Sequence, residues 1–196
     1  MKDTREHILH VSFNLFLQKS FKEVTMQEIV EKTGMSKGAF YHYFNSKEQL
    51  FLEVANHYLN ELTIDYTKLS HESLFQFYHD LINRMNDLLH SFLNEQNGDL
   101  DLNFYTLMFD AMKLFPSFRE QMSEHFQVER NAWIEMIRLA RSKGEIRSPL
   151  TDAQIADLFI YTSDGVGMHN ILEGRIVAMT DNLLAVWDVL YKGLIT

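Results

Sequence analysis

Residues that break helices are scarce in this sequence. Its 196 residues include only two prolines and eight glycines, and long stretches contain neither. A β protein of this length needs many turns, which Gly and Pro largely supply. Apolar side chains recur instead at helical spacing, as in Ile8, Val11 and Leu15. The sequence therefore predicts an all-α fold of about nine helices.

Capping signals mark the ends of these helices. Three pairs have the spacing of a capping box: Thr25 with Glu28, Ser46 with Gln49, and Thr151 with Gln154. Gly34 and Gly144 suit the position after a helix, and Pro116 suits a first helical turn. The predicted helices cover about residues 4–18, 25–33, 38–44, 46–68, 71–93, 100–114, 116–143, 151–172 and 182–194, with Asn97-Gly98 ending the fifth.

Two features of the composition exclude whole classes of protein. The sequence contains no cysteine, which rules out disulfides, thiolate metal sites and cysteine nucleophiles. No stretch reaches 18 consecutive apolar residues, and the first ten residues lack the apolar core of a signal peptide. We therefore expect a cytoplasmic protein with no membrane partner.

The charge is unevenly distributed along the chain. The net charge of -9 at pH 7, taken alone, argues against a nucleic-acid binder. Residues 1–52, however, carry seven basic and six acidic side chains, so the acidity belongs to residues 53–196. The first quarter of the chain thus differs electrostatically from the rest, which is typical of a separate domain.

Residues 25–44 show the pattern of a helix-turn-helix. A short helix over Thr25–Thr33 is followed by the turn Gly34-Met35-Ser36-Lys37 and a second short helix over Gly38–Phe44. In such a unit the second helix lies in the DNA major groove. Phe40 and Phe44 are expected to face a small core formed with Leu15, Phe16 and Ile29.

The residue types around this second helix suit DNA. Ser36 and Lys37 begin it, where free N–H groups and a cation favour phosphate. Small residues allow close approach of the backbone, and hydroxyl and imidazole groups can reach bases or phosphates. The candidate DNA-binding residues are Thr25, Ser36, Lys37, Gly38, Ala39, Tyr41, His42, Tyr43 and Lys47. The alternative is an ordinary helical hairpin with partly buried surface aromatics.

The stretch Arg5–Leu52 resembles the DNA-binding domain of the tetracycline-repressor (TetR) family. It reads R-x-x-I-L-x-x-x-x-x-L-F, then V-T-M-Q-E-I-V-E-K-T-G-M-S-K-G-A-F-Y-H-Y-F, then N-S-K-E-Q-L-F. Two departures are Ser12, where the family usually has Ala, and Ser20, where a Gly usually ends the first helix. Neither lies in the second helix of the helix-turn-helix.

The resemblance implies an all-α homodimer in which each chain has two domains with different functions. Residues 1–47 would form the helix-turn-helix DNA-binding domain, and residues 48–196 the helical ligand-binding and dimerisation domain. The resemblance implies that Gly38, Tyr41 and His42 contact the edges of DNA bases. It implies that Thr25, Ser36, Lys37, Tyr43 and Lys47 contact the DNA phosphates.

Residues 74–136 are rich in large, adaptable apolar side chains. Met fills irregular spaces and aromatic residues line most small-molecule pockets, so an apolar cavity between the fourth and eighth helices is expected. For any single residue the alternative is simple core packing. The candidate ligand-binding residues are Phe75, Tyr78, Met85, Phe104, Tyr105, Met108, Met112, Phe126 and Trp133. Polar groups that could orient a ligand are Tyr78, Arg84, Asn103, Tyr105, Asp110 and Asp164, for each of which the alternative is a surface or capping role.

The last two long helices have apolar faces suited to dimerisation. The predicted interface residues are Ile155, Leu158, Phe159, Thr162, Val166 and His169 on the first and Leu183, Val186, Trp187 and Leu190 on the second. Gly165 and Gly167 weaken a helix interior, which close helix–helix approach would explain; the alternative is a local kink. A two-fold dimer would place two recognition helices roughly 34–36 Å apart, matching a palindromic operator.

A helical enzyme or metal protein is the competing class. The nine histidines form no Glu-x-x-His or His-Glu-x-x-His pair, and no Gly-rich phosphate loop is present. We therefore expect no catalytic residue, metal or cofactor. A helical interaction protein without DNA binding would leave the cluster Ser36–Lys47 unexplained. The expected function is a ligand-responsive transcriptional regulator, a repressor by the family's default, released from a palindromic double-stranded operator by a small, largely hydrophobic effector.

Overall fold

A computed structural model describes residues 2–95 and 102–195. Over these residues it has nine α-helices and no strand, which confirms the predicted all-α fold. The helices are α1 (Lys2–Gln18), α2 (Met26–Thr33), α3 (Lys37–Tyr41), α4 (Lys47–Glu61), α5 (Leu74–Glu95), α6 (Leu102–Leu114), α7 (Pro116–Ser142), α8 (Asp152–Leu172) and α9 (Met179–Ile195). Short 3-10 helices over Tyr66–Lys68 and Ile176–Ala178 precede α5 and α9. The predicted break at Asn97-Gly98 lies outside the described residues.

Local capping chemistry fixes most of the helix ends. The side chains of Thr25, Ser46 and Thr151 each accept a hydrogen bond from the backbone N–H three residues later. Gly34 and Gly144 have φ values of 68° and 77°, the left-handed conformation that favours glycine after a helix. These predicted helix ends are confirmed.

The fourth helix is shorter than predicted. It ends at Glu61 and not near residue 68. The Thr63 hydroxyl donates to the Leu59 carbonyl at 2.8 Å, and the Asp65 side chain accepts from the backbone N–H of Thr67. Such side-chain bonds to nearby backbone compete with helix propagation, so the apolar spacing beyond residue 61 does not continue α4.

The chain divides into two compact units. Unit 1 consists of Met1–Thr63 and Leu102–Met122, and unit 2 consists of Ile64–Asp101 and Ser123–Thr196. Compactness therefore groups α4 and α6 with the first three helices. The predicted boundary between residues 1–47 and 48–196 separates two functions and not two compact units, and it stays a prediction.

Unit 1 has an aromatic core. Helix α6 packs against α1 and α4. Between α1 and α4, the ring of Phe13 stacks on that of Tyr58 with centroids 3.6 Å apart. As predicted, the side chains of Leu15, Phe16, Ile29, Phe40 and Phe44 are all buried. This burial anchors α2 and α3 to α1.

Unit 2 is organised around two fully buried tryptophans. The Trp133 ring stacks on Phe159 with centroids 4.7 Å apart and meets Trp187 edge-on at 5.2 Å. The Trp187 indole N–H donates to the Phe159 carbonyl at 3.1 Å. The Tyr78 hydroxyl donates to Asp188 at 2.7 Å, which joins α5 to α9. Aromatic packing and the hydrogen bonds of Trp187 and Tyr78 together stabilise this core.

Four of the predicted dimer residues belong to this core. Ile155, Phe159, Leu183 and Trp187 are at most 1% exposed within a single chain, so they do not form an outer surface. Their helical spacing describes the inward faces of α8 and α9. Of the remaining predicted residues, Leu158 and His169 are exposed and Thr162, Val166, Val186 and Leu190 are partly buried.

No helix within residues 2–95 or 102–195 is both long enough and apolar enough to cross a membrane.

Candidate nucleic-acid interface

Helices α2 and α3 form a helix-turn-helix within unit 1. Thr25 caps α2, whose carboxyl end turns at Gly34, where the backbone N–H donates to the Glu31 carbonyl. Ser36 then caps α3, accepting at its Oγ from the Ala39 backbone N–H at 3.3 Å. The His7 imidazole lies 3.1 Å from the Thr33 carbonyl oxygen and so connects α1 to the end of α2. The predicted two-helix arrangement is thus present.

The second helix is shorter than predicted. It ends at Tyr41 and not at Phe44, because the Tyr43 N–H bonds to the Phe40 carbonyl three residues back, at 2.9 Å. A bond of this type tightens the last turn and ends the helix. His42 and Tyr43 consequently lie in the turn after α3.

The burial pattern of α3 divides it into an anchored side and an outer side. Phe40 is fully buried, and Phe44 beyond the helix is also buried, with the Arg5 guanidinium 5.6 Å from its ring centroid. The predicted DNA-binding residues Thr25, Ser36, Lys37, Gly38, Ala39 and His42 are exposed, while Tyr41, Tyr43 and Lys47 are partly buried. All nine candidates belong to unit 1: seven lie at the starts of α2 and α3 or in the turn after α3, Tyr41 ends α3, and Lys47 begins α4.

Tyr41 is held in place by its neighbours on α3. Its ring meets Phe40 edge-on with centroids 5.8 Å apart, and the Lys37 ammonium lies 6.0 Å from its centroid. The Lys37 ammonium forms no ion pair with the residues that the structure describes. Lys37 thus brings an uncompensated positive charge to the exposed start of α3.

Lys47 has a different setting from Lys37. Its ammonium donates to the backbone carbonyls of Phe21 at 2.7 Å and Val24 at 2.8 Å, and it lies 4.4 Å from the centroid of the Phe21 ring. Two of its three N–H donors are therefore committed to the turn before α2. One donor is left for a phosphate.

Two cations of unit 1 are held in ion pairs. Arg5 forms an ion pair with Glu53, and Lys19 forms one with Glu28. The hydrogen bond from Lys19 is the main reason why the pKa of the Glu28 carboxyl lies below its ordinary value. Glu28 therefore remains ionised in the first turn of α2, where a negative charge complements the helix dipole.

One enzyme-type pattern occurs within this unit. Gly34-Met35-Ser36-Lys37-Gly38 matches Gly-x-Ser-x-Gly, which the nucleophile elbow of a hydrolase also matches. That elbow requires a strand before the serine, whereas Ser36 follows helix α2. The Ser36 hydroxyl caps α3 instead. The local structure thus favours a capping role for this serine.

The predicted ligand-binding residues do not gather in one compact unit. Phe104, Tyr105, Met108 and Met112 belong to unit 1, whereas Phe75, Tyr78, Met85, Phe126 and Trp133 belong to unit 2. Tyr78 and Trp133 are fully buried in the aromatic core, while Phe75 and Phe126 are exposed. These nine residues stay a prediction.

A second exposed surface lies on α8, and sequence reasoning largely missed it. Its members are exposed and follow one another at alternating steps of three and four residues: Leu158, Tyr161, Gly165, Met168 and Leu172. A Cβ added at Gly165 would meet nothing within 4 Å. We call this set the α8 stripe. The three-four spacing around a central glycine is the signal that could have identified it.

The first third of the chain matches known regulators. Residues 8–54 match the family model described as bacterial regulatory proteins, tetR family. The uncharacterized HTH-type transcriptional regulator YerO of Bacillus subtilis is 44% identical over 59 residues, which are 30% of this chain and 20% of that protein. The HTH-type transcriptional repressor AcnR of Corynebacterium efficiens is 25% identical over 194 residues, covering 95% of this chain and 90% of that one.

Solved structures share the whole fold. NalD, described as the secondary repressor of the MexAB-OprM multidrug efflux pump in Pseudomonas aeruginosa, gives a TM-score of 0.71 at 16% identity, over 99% of this chain and 96% of that one. This likeness extends the shared fold beyond residue 54. The chain spans only 20% to 34% of the length of the first three curated relatives that it matches.

Proposed function

The chain belongs to the tetR family of bacterial regulatory proteins, and on that basis we propose that it is a DNA-binding transcriptional regulator in the cytoplasm. We further propose that it represses from a palindromic operator and that a small, largely hydrophobic effector releases it. The observation that carries the proposal is the outer side of α3. Buried Phe40 anchors the helix, and Ser36, Lys37 and His42 stay exposed.

The proposed DNA contacts divide by chemistry. Lys37 supplies charge, and the exposed backbone of Gly38 and Ala39 allows close approach to a groove. We assign base-edge contacts to Gly38, Tyr41 and His42, as the family resemblance implies; Gly38 and Tyr41 lie on α3, and His42 lies in the turn that follows it. We assign phosphate contacts to Thr25, Ser36, Lys37 and Tyr43, and to the remaining N–H donor of Lys47.

The α8 stripe supports the proposal of a homodimer. Leu172 and Tyr161 are 67% and 66% exposed, an unusual placement for apolar side chains that recur along one helix face. A second copy packing against this face would bury them, and Gly165 would let two α8 helices approach closely. A two-fold axis at α8 would pair two α3 helices with two operator half-sites.

Effector response requires a difference in affinity between two states. A ligand can release the operator only if it binds the released state more tightly than the DNA-bound state. The adaptable apolar residues of α5, α6 and α7 are the proposed source of that affinity. Regulation by binding, and not catalysis, is the proposed role of the chain.

Selection from a random library tests the DNA-binding proposal directly. Duplexes with a 30-base-pair random region are incubated with the full chain, recovered and sequenced over repeated rounds. The proposal predicts enrichment of an inverted repeat whose half-sites are centred about one helical turn, or a multiple of it, apart. Absence of any enriched sequence would contradict DNA recognition, and an enriched site without two-fold symmetry would contradict the palindrome alone.

A further inference from the structure

A half-open cavity of about 230 Å³ lies within unit 1. It is bordered by the carboxyl end of α1, the turn between α1 and α2, α4 and α6. None of the nine predicted ligand-binding residues lines it. Asn103 and Asp110, which the sequence suggested only as polar groups for orienting a ligand, do line it. The cavity is therefore a separate feature from the proposed effector site.

The floor of this cavity is aromatic. The ring of Phe51 meets the rings of Phe16 and Phe21, each with centroids 4.8 Å apart. Phe16 and Phe51 are buried in the core, whereas Phe21 is partly buried and forms a wall. Aromatic rings that line a cavity attract cations as well as apolar groups.

The rim of the cavity carries an excess of negative charge. Asp110 has no ion-pair or hydrogen-bond partner among residues 2–95 and 102–195, and its side chain is partly buried. Glu23 is also at the rim, where Ser20 donates to it from both its N–H and its hydroxyl, and these bonds lower the pKa of its carboxyl. The cation at the rim, Lys19, is already bound to Glu28. The unpartnered carboxylate is thus left beside an aromatic floor.

We propose that this cavity binds a small organic cation with one apolar ring. The ring would lie against Phe21 and Phe51, and the ammonium group would pair with Asp110. The cavity is smaller than the roughly 300–1,000 Å³ typical of drug-sized ligands, which limits the occupant to about one ring and a short amine. An anion would meet the carboxylates of Asp110 and Glu23, so the site selects by charge.

Phe21 gives such an occupant a route to the DNA-facing helices. Its carbonyl accepts from Lys47 at 2.7 Å, and the same ammonium lies over its ring. A ligand that moves the Phe21 ring must therefore disturb the contact between α4 and the turn before α2. Only this effect on the DNA-facing helices rests on the proposed function; the binding of the cation does not.

Direct binding to the full chain tests the site without DNA. Isothermal titration calorimetry is performed with 2-phenylethylamine and, as neutral and anionic probes of matched shape, 2-phenylethanol and phenylacetate. We expect the amine to bind about tenfold more tightly than the alcohol, the effect of a charge-assisted hydrogen bond, and phenylacetate to bind most weakly. Equal binding of the three probes, or no binding of the amine, would overturn the proposal.

Matched variants locate the binding. Asp110→Asn keeps the shape of the side chain and should weaken amine binding about tenfold, whereas Glu120→Gln, an exposed carboxyl elsewhere in unit 1, should leave it unchanged. Backbone amide shifts measured by NMR on addition of the amine should centre on Phe21, Phe51 and Leu107. Amine binding that survives Asp110→Asn, or shifts confined to other parts of the chain, would overturn the assignment. Because no DNA is present, failure here leaves the proposed operator binding standing.

Discussion

The ammonium group of Lys47 donates a hydrogen bond to the backbone carbonyl of Phe21 across 2.7 Å. The two residues belong to the start of α4 and to the turn before α2, 26 positions apart in the sequence. With the second bond to the Val24 carbonyl, this contact fixes the turn that leads into Thr25 and α2. Lys47 is therefore a positioning residue for the helix-turn-helix as well as a candidate phosphate ligand.

Removal of the Lys47 charge should destabilise the fold. Lys47→Met keeps much of the aliphatic chain but leaves the carbonyls of Phe21 and Val24 without their charged donor. We expect the free energy of unfolding in urea to fall by about 1.5–3 kcal/mol, as for the loss of a hydrogen bond to a charged group. The matched variant Lys37→Met removes an exposed cation that binds no carbonyl within residues 2–95 and 102–195, so its stability should change by less than about 0.5 kcal/mol. Equal effects of the two variants would refute the positioning role.

Disruption of the α8 stripe should produce a monomer. Leu172→Asp introduces a charge that a dimer would have to bury, so light scattering coupled to size exclusion should give the mass of one chain where the native protein gives two. Val128 on α7 is also exposed, at 59%, and lies outside the stripe. Val128→Asp is therefore expected to remain dimeric. A native protein that elutes as a monomer at micromolar concentration would contradict the dimer proposal.

Glu129 in unit 2 should make the stability of the protein depend on pH. Burial is the main reason why the pKa of its carboxyl lies above its ordinary value of 4.5, and the negative charge of Asp164 raises it further, against the lowering effects of Tyr66 and Trp133. Between the ordinary and the raised pKa the folded chain binds more protons than the unfolded chain, so stability falls as pH rises. Above the raised pKa this loss persists in full.

Glu129→Gln tests that pH dependence. The amide oxygen can still accept from Tyr66, but nothing ionises. We expect the variant and the native protein to have similar melting temperatures below pH 4.5, and the variant to melt at the higher temperature near pH 7. Glu135→Gln, at an exposed position of α7, serves as the control and should show no such divergence. A difference in melting temperature that stays constant with pH would count against a raised pKa.

Local chemistry was the predictable part of the fold. Thr25, Ser46 and Thr151 cap helices because a side-chain oxygen needs only the N–H three residues later, and Gly34 ends α2 because its own backbone permits a positive φ. The sequence within a few residues contains all the information needed for such features. The family resemblance likewise depends on contiguous residues, and it was confirmed.

Features that depend on distant residues were not predictable. Helix α8 has apolar side chains on two faces, so periodicity could not distinguish the inward Ile155 and Phe159 from the outward Tyr161 and Leu172. The carbonyl contacts of Lys47 arise only when α4 packs beside the turn before α2. The unit 1 cavity brings Asp110 together with Phe21, residues that are far apart along the chain.

Salt should weaken the proposed operator binding steeply. Phosphate contacts release counterions, and the logarithm of affinity then falls linearly with the logarithm of salt concentration, with a slope of about -0.9 for each phosphate neutralised. Fluorescence anisotropy with the selected duplex should show a shallower slope for Lys37→Met, smaller in magnitude by about one per protomer. The acidic remainder of the chain, residues 53–196, should keep affinity for unrelated duplexes low. An affinity independent of salt would exclude phosphate contacts.

Operator affinity of the double variant Tyr41→Phe, His42→Ala tests recognition by α3 most directly. The Phe ring preserves the packing against Phe40, and His42 is exposed, so circular dichroism should show an unchanged fold. By fluorescence anisotropy, affinity for the selected duplex should fall at least about tenfold, while affinity for a scrambled duplex stays the same, because base contacts and not phosphate contacts are lost. Unchanged affinity for the selected duplex, or an equal loss on both duplexes, would contradict sequence recognition through these two residues.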